Sequence, residues 1–150
     1  MQLTKDQEII ITQGIEIIES LYKRENLLVS NPQAVKAFCQ LQIGMLEHEV
    51  FGVLFLDSQL RLISFEKMFR GSVGSASVYP REVAKAALKA NASSVIFTHN
   101  HPSGHPEPSH SDKVITERLV EVLKMFDISV LDHIIIGNKK HVSFAEIGLL

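Results

Sequence analysis

His99 and His101 stand two residues apart, and Ser109 and Asp112 follow in the same polar segment. Side chains at i and i+2 of an extended stretch project to one side, so both imidazoles can aim at one point. Asp112, in the first turn of a following helix, can be swung back to that point by the loop between. Two imidazoles and a carboxylate are the protein ligands of a catalytic zinc site that keeps its fourth tetrahedral position for water. Zn2+ there would lower the pKa of that water to about 7 and supply hydroxide at neutral pH. Such chemistry needs a proton acceptor, and Glu47 and Glu49 both qualify if a strand begins by residue 47. Gly52 favours Glu49, because a missing side chain leaves room for close approach beside it. The tetrahedral intermediate of amide hydrolysis carries an oxyanion, and the Ser109 hydroxyl is placed to stabilise it. Pro102, Pro106 and Pro108 restrict the loop and reduce the entropy lost in holding the ligands ready.

Chance sets a scale for this pattern. Seven histidines in 150 residues make a His-x-His pair expected about 0.3 times per chain, whereas the added Ser and Asp spacing lowers this to roughly 0.001. Ser109 and Asp112 also read as a capping box, and the cap would fix the turn that presents the ligand. His105 and His110 read as solvated loop histidines rather than alternative ligands. Asp132 and His133 either orient a ligand through a hydrogen bond or serve structure alone. Arg81 either binds an anionic group or pairs with a neighbouring acid at a helix start, and Lys139-Lys140 reads as a hairpin tip.

The elements that must position these residues alternate in type. Thr4 and Gln7 form a capping box ahead of a helix carrying Ile9, Ile10, Ile11, Ile15, Ile17, Ile18 and Leu21 and ending near Arg24. Asn31-Pro32 opens a second helix that fades near Gly44. Residues 49–69 read as a β-hairpin turning at Asp57, Ser58 and Gln59. After the Gly/Ser-rich stretch 71–77, Pro80 opens a helix with Val83, Ala84, Ala87, Leu88 and Ala90 as its buried stripe. Ser94 to Thr98 is a short apolar strand feeding the polar loop 99–109. A fourth helix runs from about Ser111 to Phe126 on Val114, Ile115, Leu119, Val120 and Leu123. Residues 128–137 and 141–144 close the chain as strands. Strands alternating with helices predict a three-layer α/β/α architecture, and the hairpin makes the central sheet mixed.

Composition bounds the possibilities. The length of 150 residues with 45% apolar side chains suits one domain, divided into a helical leader over 1–28 and a metal-binding domain over 29–150. A formal net charge of −2 announces no nucleic-acid or anionic-membrane partner. Cys39 is the single cysteine, so no intramolecular disulfide or thiolate zinc cluster can form, as in a reducing compartment. No apolar run approaches the roughly 18 residues of a membrane span and no signal peptide is visible, so a cytoplasmic location is expected. His-x-Glu with Pro-Cys-x-x-Cys, the signature of base deaminases, is missing, as is His-Glu-x-x-His.

His99-x-His101-Pro102 with Ser109 and Asp112, together with Glu49-Val50-Phe51-Gly52, resembles the JAMM motif of the JAB/MPN+ metalloproteases. The run Thr98 to Gly104, then Pro106 to Ser109, with Pro80-Arg81-Glu82 and Leu131-Asp132-His133, resembles the RadC branch over about residues 30–148. The resemblance implies a JAB/MPN fold related to cytidine deaminases. It implies zinc on His99, His101 and Asp112, Glu49 rather than Glu47 as general base, and Ser109 supporting the oxyanion. It implies hydrolysis of a peptide or isopeptide bond, with a ubiquitin-like tail as one partner laid out as an added strand. A DNA-repair-associated or DNA-binding role without peptidase activity is the alternative that the RadC branch implies. Longer RadC proteins carry an N-terminal helix-hairpin-helix region, where this sequence has a short helical leader.

Overall fold

The computed structural model describes residues 3–25, 31–71 and 77–150. Helix α1 spans Lys5–Glu25, α2 Pro32–Ile43, α3 Pro80–Lys89 and α4 His110–Lys124. The strands are β1 Val50–Leu56, β2 Leu62–Arg70, β3 Ser94–Asn100, β4 Ser129–Gly137 and β5 Lys140–Ser143. They form one sheet in the order β2-β1-β3-β4-β5. Only β3 and β4 run parallel, joined by α4 as a crossover, and the other neighbours are antiparallel. This is the expected three-layer α/β/α arrangement with a mixed sheet. The expected boundary between residues 28 and 29 lies outside the described residues, as does most of the Gly/Ser-rich stretch.

Strand alternation sorts the core into two slabs. On one face, Val50, Leu54, Leu56, Ile96, Ile134 and Ile136 pack under Val35, Phe38, Cys39 and Ile43 of α2, and Ile18 of α1 packs against this cluster. On the other, Phe51, Val53, Phe55, Val95 and Phe97 meet Val83, Ala84 and Ala87 of α3 and Leu119 and Leu123 of α4. Every residue of β1 and β3 is buried, as expected of central strands covered on both faces. The helix starts follow their caps. Thr4 and Gln7 exchange backbone-to-side-chain hydrogen bonds of 3.0 and 3.3 Å, and Asn31 Oδ1 accepts from the Gln33 and Ala34 N–H groups.

Three local expectations need correction. The strand carrying the first histidine runs on to Asn100, so His99 lies inside the sheet rather than in a loop. Its ladder to β4 continues through His99↔Ile135 and Asn100↔Ile136. In α4 the buried stripe is Thr116, Leu119 and Leu123, and Val114 is 49% exposed. The helix is rotated so that polar Asp112 and Thr116, one turn apart, face the end of β3. Leu88 is likewise 51% exposed, because α3 docks through Val83, Ala84 and Ala87 and turns position 88 outward.

Gly137, at the end of β4, holds the loop after β3 in place by lacking a side chain. A Cβ there would lie 2.7 Å from the Pro106 nitrogen and 2.8 Å from the Gly104 carbonyl atoms. Those are backbone atoms with no rotamer to yield, so Gly137→Ala should lower the unfolding free energy by about 1–3 kcal/mol in urea titrations. An unchanged denaturation midpoint would contradict this account of the loop.

Candidate metal centre

His99 is the last but one residue of β3 and is only 2% exposed. His101 follows beyond the strand, with ring centroids 4.8 Å apart. The N-terminus of α4 brings Asp112 to them. Its Oδ1 lies 3.2 Å from His99 Nε2 and its Oδ2 3.4 Å from His101 Nε2. The two Nε2 atoms are 2.9 Å apart. Among the described residues these three side chains form the one cluster whose ligand atoms could share a metal ion.

The other ring nitrogens decide what the cluster presents. The His105 carbonyl accepts from His101 Nδ1–H at 2.7 Å, which leaves His101 Nε2 as a lone pair when the ring is neutral. His99 Nδ1 lies 2.8 Å from His133 Nε2, His133 Nδ1 lies 2.6 Å from Thr116 Oγ1, and Thr116 Oγ1 donates to the Asp112 carbonyl at 2.6 Å. A carbonyl can only accept, so the hydroxyl proton points to Asp112, His133 Nδ1–H donates to Thr116, and His99 Nδ1–H donates to His133. His99 Nε2 is therefore also a lone pair. Two imidazole lone pairs and a carboxylate then converge with no donor among them. Such a donor set fits a divalent cation, and in its absence a proton.

Electrostatics bear this out. The hydrogen bond to Asp112 raises the His101 pKa above its ordinary value against the opposing effect of burial, with the His105 carbonyl and the Asp112 and Glu49 charges adding to the rise. Burial pushes the Asp112 carboxyl up, but a proton shared with His101 or His99, the charge this places on His99 and the Ser109 side chain outweigh it and hold the group well below the usual carboxylate range. His133 is pushed well below the ordinary imidazole value, first by burial and then by His99. Its surroundings are aromatic, with Phe51, Phe97 and Phe144 rings at 5.5, 5.8 and 4.7 Å. A neutral ring is what the hydrogen-bond directions require of it.

Ser109 is the N-cap of α4, and the capping box is complete. Asp112 N donates to Ser109 Oγ at 3.1 Å and Ser109 N to Asp112 Oδ2 at 2.7 Å. The cap uses the serine oxygen as acceptor, and the Ser109 side chain also helps to hold the Asp112 carboxylate ionised. Glu49 lies just before β1, which begins at Val50. Residue 47 is therefore outside the strand, and the shared-face condition for Glu47 and Glu49 is not met. Glu47 is exposed and lines the neighbouring cavity. The β1–β3 register pairs Phe51 with His99, so two residues further along the same register Glu49 falls opposite His101. The space at Gly52 has another use than expected, because a Cβ there would meet the Phe65 ring at 2.7 Å.

Asn100 and Thr116 are the residues that sequence reasoning missed. Asn100 Oδ1 accepts from Val50 N–H at 2.8 Å, and its Nδ2 donates to the Leu46 and His48 carbonyls at 3.2 and 3.0 Å. The carboxamide thus continues the β1–β3 ladder where its backbone pairing stops, and clamps the segment that carries Glu49. Its place between the two histidines was the available signal. For Thr116 the signal was its spacing of one helical turn from Asp112.

The remaining candidates lie apart from this cluster. His105 and His110 are exposed, and His105 Nδ1 lies 3.1 Å from the Ser103 carbonyl within its own loop. Arg81 pairs with Glu82 at 3.2 Å. Lys139 sits in the β4–β5 turn and Lys140 pairs with Gly137. Asp132 serves structure, accepting from His133 N, Ala145 N and Ser143 Oγ at 2.7, 3.0 and 2.6 Å. A cavity of about 1080 Å³ opens beside His101, between the end of α2, the loop after β3 and the β4–β5 turn.

Comparison with known proteins agrees with this arrangement. Residues 29–149 match the RadC-like JAB domain. The chain belongs to that family. A UPF0758 protein of Vibrio cholerae is 50% identical over 141 residues, covering 94% of this chain and 88% of the relative. One of Pseudoalteromonas translucida is 56% identical over 127 residues, covering 85% of this chain and 57% of the relative. One of Methylibium petroleiphilum is 54% identical over 120 residues, covering 80% and 54%. The chain thus spans only a little over half the length of several relatives. No helix among the described residues is long and apolar enough to cross a membrane.

The raised His101 pKa has a signed consequence. The proton-linked stability of the metal-free chain is fully present below the ordinary histidine value of about 6.5 and is lost as pH rises through the folded-state value. A cation needs the neutral ring, so its binding strengthens over that same interval. The rise in Tm caused by a saturating divalent metal should be larger at about pH 8 than at about pH 6. Equal rises at both would exclude His101 as a ligand.

Proposed function

We propose that this RadC-like JAB domain is a zinc-dependent hydrolase of the JAMM type that cleaves an amide bond in a peptide or isopeptide. The convergence of His99 Nε2, His101 Nε2 and the Asp112 carboxylate, with no donor among them, carries the reading. Bound by these three groups, Zn2+ would polarise a carbonyl and lower the pKa of water. His99 and His101 hold their lone pairs toward the cation through their outward N–H bonds, and the capping box fixes the Asp112 carboxylate. Glu49, opposite His101 in the extended β1–β3 register, accepts a proton from the attacking water and returns it to the leaving amine. Ser109 turns its O–H from the Asp112 carboxylate to the developing oxyanion.

The cavity supports a polymeric substrate. Its volume of about 1080 Å³ slightly exceeds the roughly 300–1,000 Å³ of small-molecule sites. His101 and Asn100 line it, and Leu41, Met45 and Pro102 offer apolar surface to an extended chain.

Elemental analysis of protein purified without chelator should find about one zinc per chain, lost in His101→Ala and Asp112→Ala. Glu49→Gln should keep the metal and lose turnover by about 10²–10⁴-fold on a peptide or isopeptide substrate. A wild-type chain that takes up no zinc even on addition would overturn the reading. Unimpaired turnover in Glu49→Gln would remove that residue from the proton transfers.

A further inference from the structure

The ring of His99 reaches His133 and, through it, Thr116 and the backbone carbonyl of Asp112. All three residues are at most 2% exposed, and the successive separations are 2.8, 2.6 and 2.6 Å. The direction of the chain is set at its far end, where the carbonyl has no proton to give. It therefore fixes the His99 tautomer at its near end. Metal-binding imidazoles usually give their second N–H to a carboxylate, a backbone carbonyl or water. Here the acceptor is another imidazole, and Asp132, its neighbour in sequence, is fully engaged by β5 and the segment after it.

We infer that His133 and Thr116 are positioning residues that hold His99 with its Nε2 lone pair toward the cluster, and that they thereby set the affinity of the centre for a divalent cation. The inference rests on the proposed metal site. Thr116 acts twice, because the same hydroxyl that accepts from His133 back-bonds to the residue that supplies the carboxylate ligand. Without that hydroxyl, His133 Nδ1–H is left unpaired in an apolar cage. The ring then gains by moving its proton to Nε2, where it donates to His99 Nδ1 and forces the His99 proton onto the nitrogen that must bind the cation. An acceptor that is a neutral ring also leaves the ligand less basic than a carboxylate would.

The test uses the full chain and Zn2+ alone, with affinity read by competition against a chromophoric chelator. Thr116→Val, nearly isosteric, and His133→Phe, which suits the surrounding phenyl rings, should each weaken Zn2+ binding about 10–100-fold. Thr116→Ser should restore the wild-type value. Thr98→Val provides the control, since Thr98 is equally buried but donates to the Ile134 carbonyl at 2.9 Å on the opposite face of β3. It should leave the affinity unchanged. Nitrogen NMR of the metal-free wild type at about pH 8, above the ordinary histidine value, should show His99 protonated on Nδ1. Wild-type affinity in folded Thr116→Val, an equal loss in Thr98→Val, or a His99 proton on Nε2 would each overturn the assignment. Those failures leave zinc binding by the wild type intact, whereas a wild type that binds none overturns the proposed function as well.

Discussion

A buried imidazole needs a partner for each ring nitrogen, and His99 has nowhere to find water. Its Nδ1–H goes to His133, so its other nitrogen faces His101 and Asp112 as a lone pair. Electron-rich atoms held this close repel one another unless a proton or a cation sits among them. Much of the surrounding structure answers to that demand. Helix α4 is capped by Ser109 so that Asp112 points inward, and it is rotated to bury Thr116 rather than Val114. Three phenyl rings enclose His133 and keep it neutral, which allows it to accept from His99.

The second organising relation is the antiparallel register of β1 and β3. With Phe51 opposite His99, the carboxylate of Glu49 falls near His101, and its charge contributes to the raised pKa there. The backbone ladder stops one residue short, and the Asn100 carboxamide takes over by bonding three backbone groups of the 46–50 segment. Rigid central strands thus carry His99 and Asn100, while the loop after β3 carries His101. That loop is seated against Gly137, whose lack of a side chain permits backbone-to-backbone contact. Ligands drawn from a strand end, a loop and a helix N-terminus are held by different local devices, each with its own hydrogen bonds.

Much of this was legible in the residue order. Capping residues marked the starts of α1, α2 and α4, since an N-cap acts through bonds within one turn. Alternating apolar residues marked the hairpin, and the His99, His101, Ser109 and Asp112 spacing marked the centre, because a motif within 14 residues needs only local geometry. What escaped notice depended on pairing across the sheet. The strand proved to include His99 and Asn100 because β4 supplies partners for both, a condition that no local propensity expresses. Glu49 was preferred over Glu47 from the sequence, but the physical distinction, that β1 begins at Val50 and leaves residue 47 outside the strand, came from the fold. Asp132 and His133, adjacent in sequence, point to opposite faces of β4 and so do different work. By itself the sequence determined the alternation of helices and strands, the layer architecture and the donor atoms of the centre, all set by local periodicity and side-chain chemistry. The tertiary structure alone decided which imidazole is buried, which tautomer its partners impose and which carboxylate stands opposite His101. Those properties depend on hydrogen bonds between residues tens of positions apart, which the folded register brings within reach.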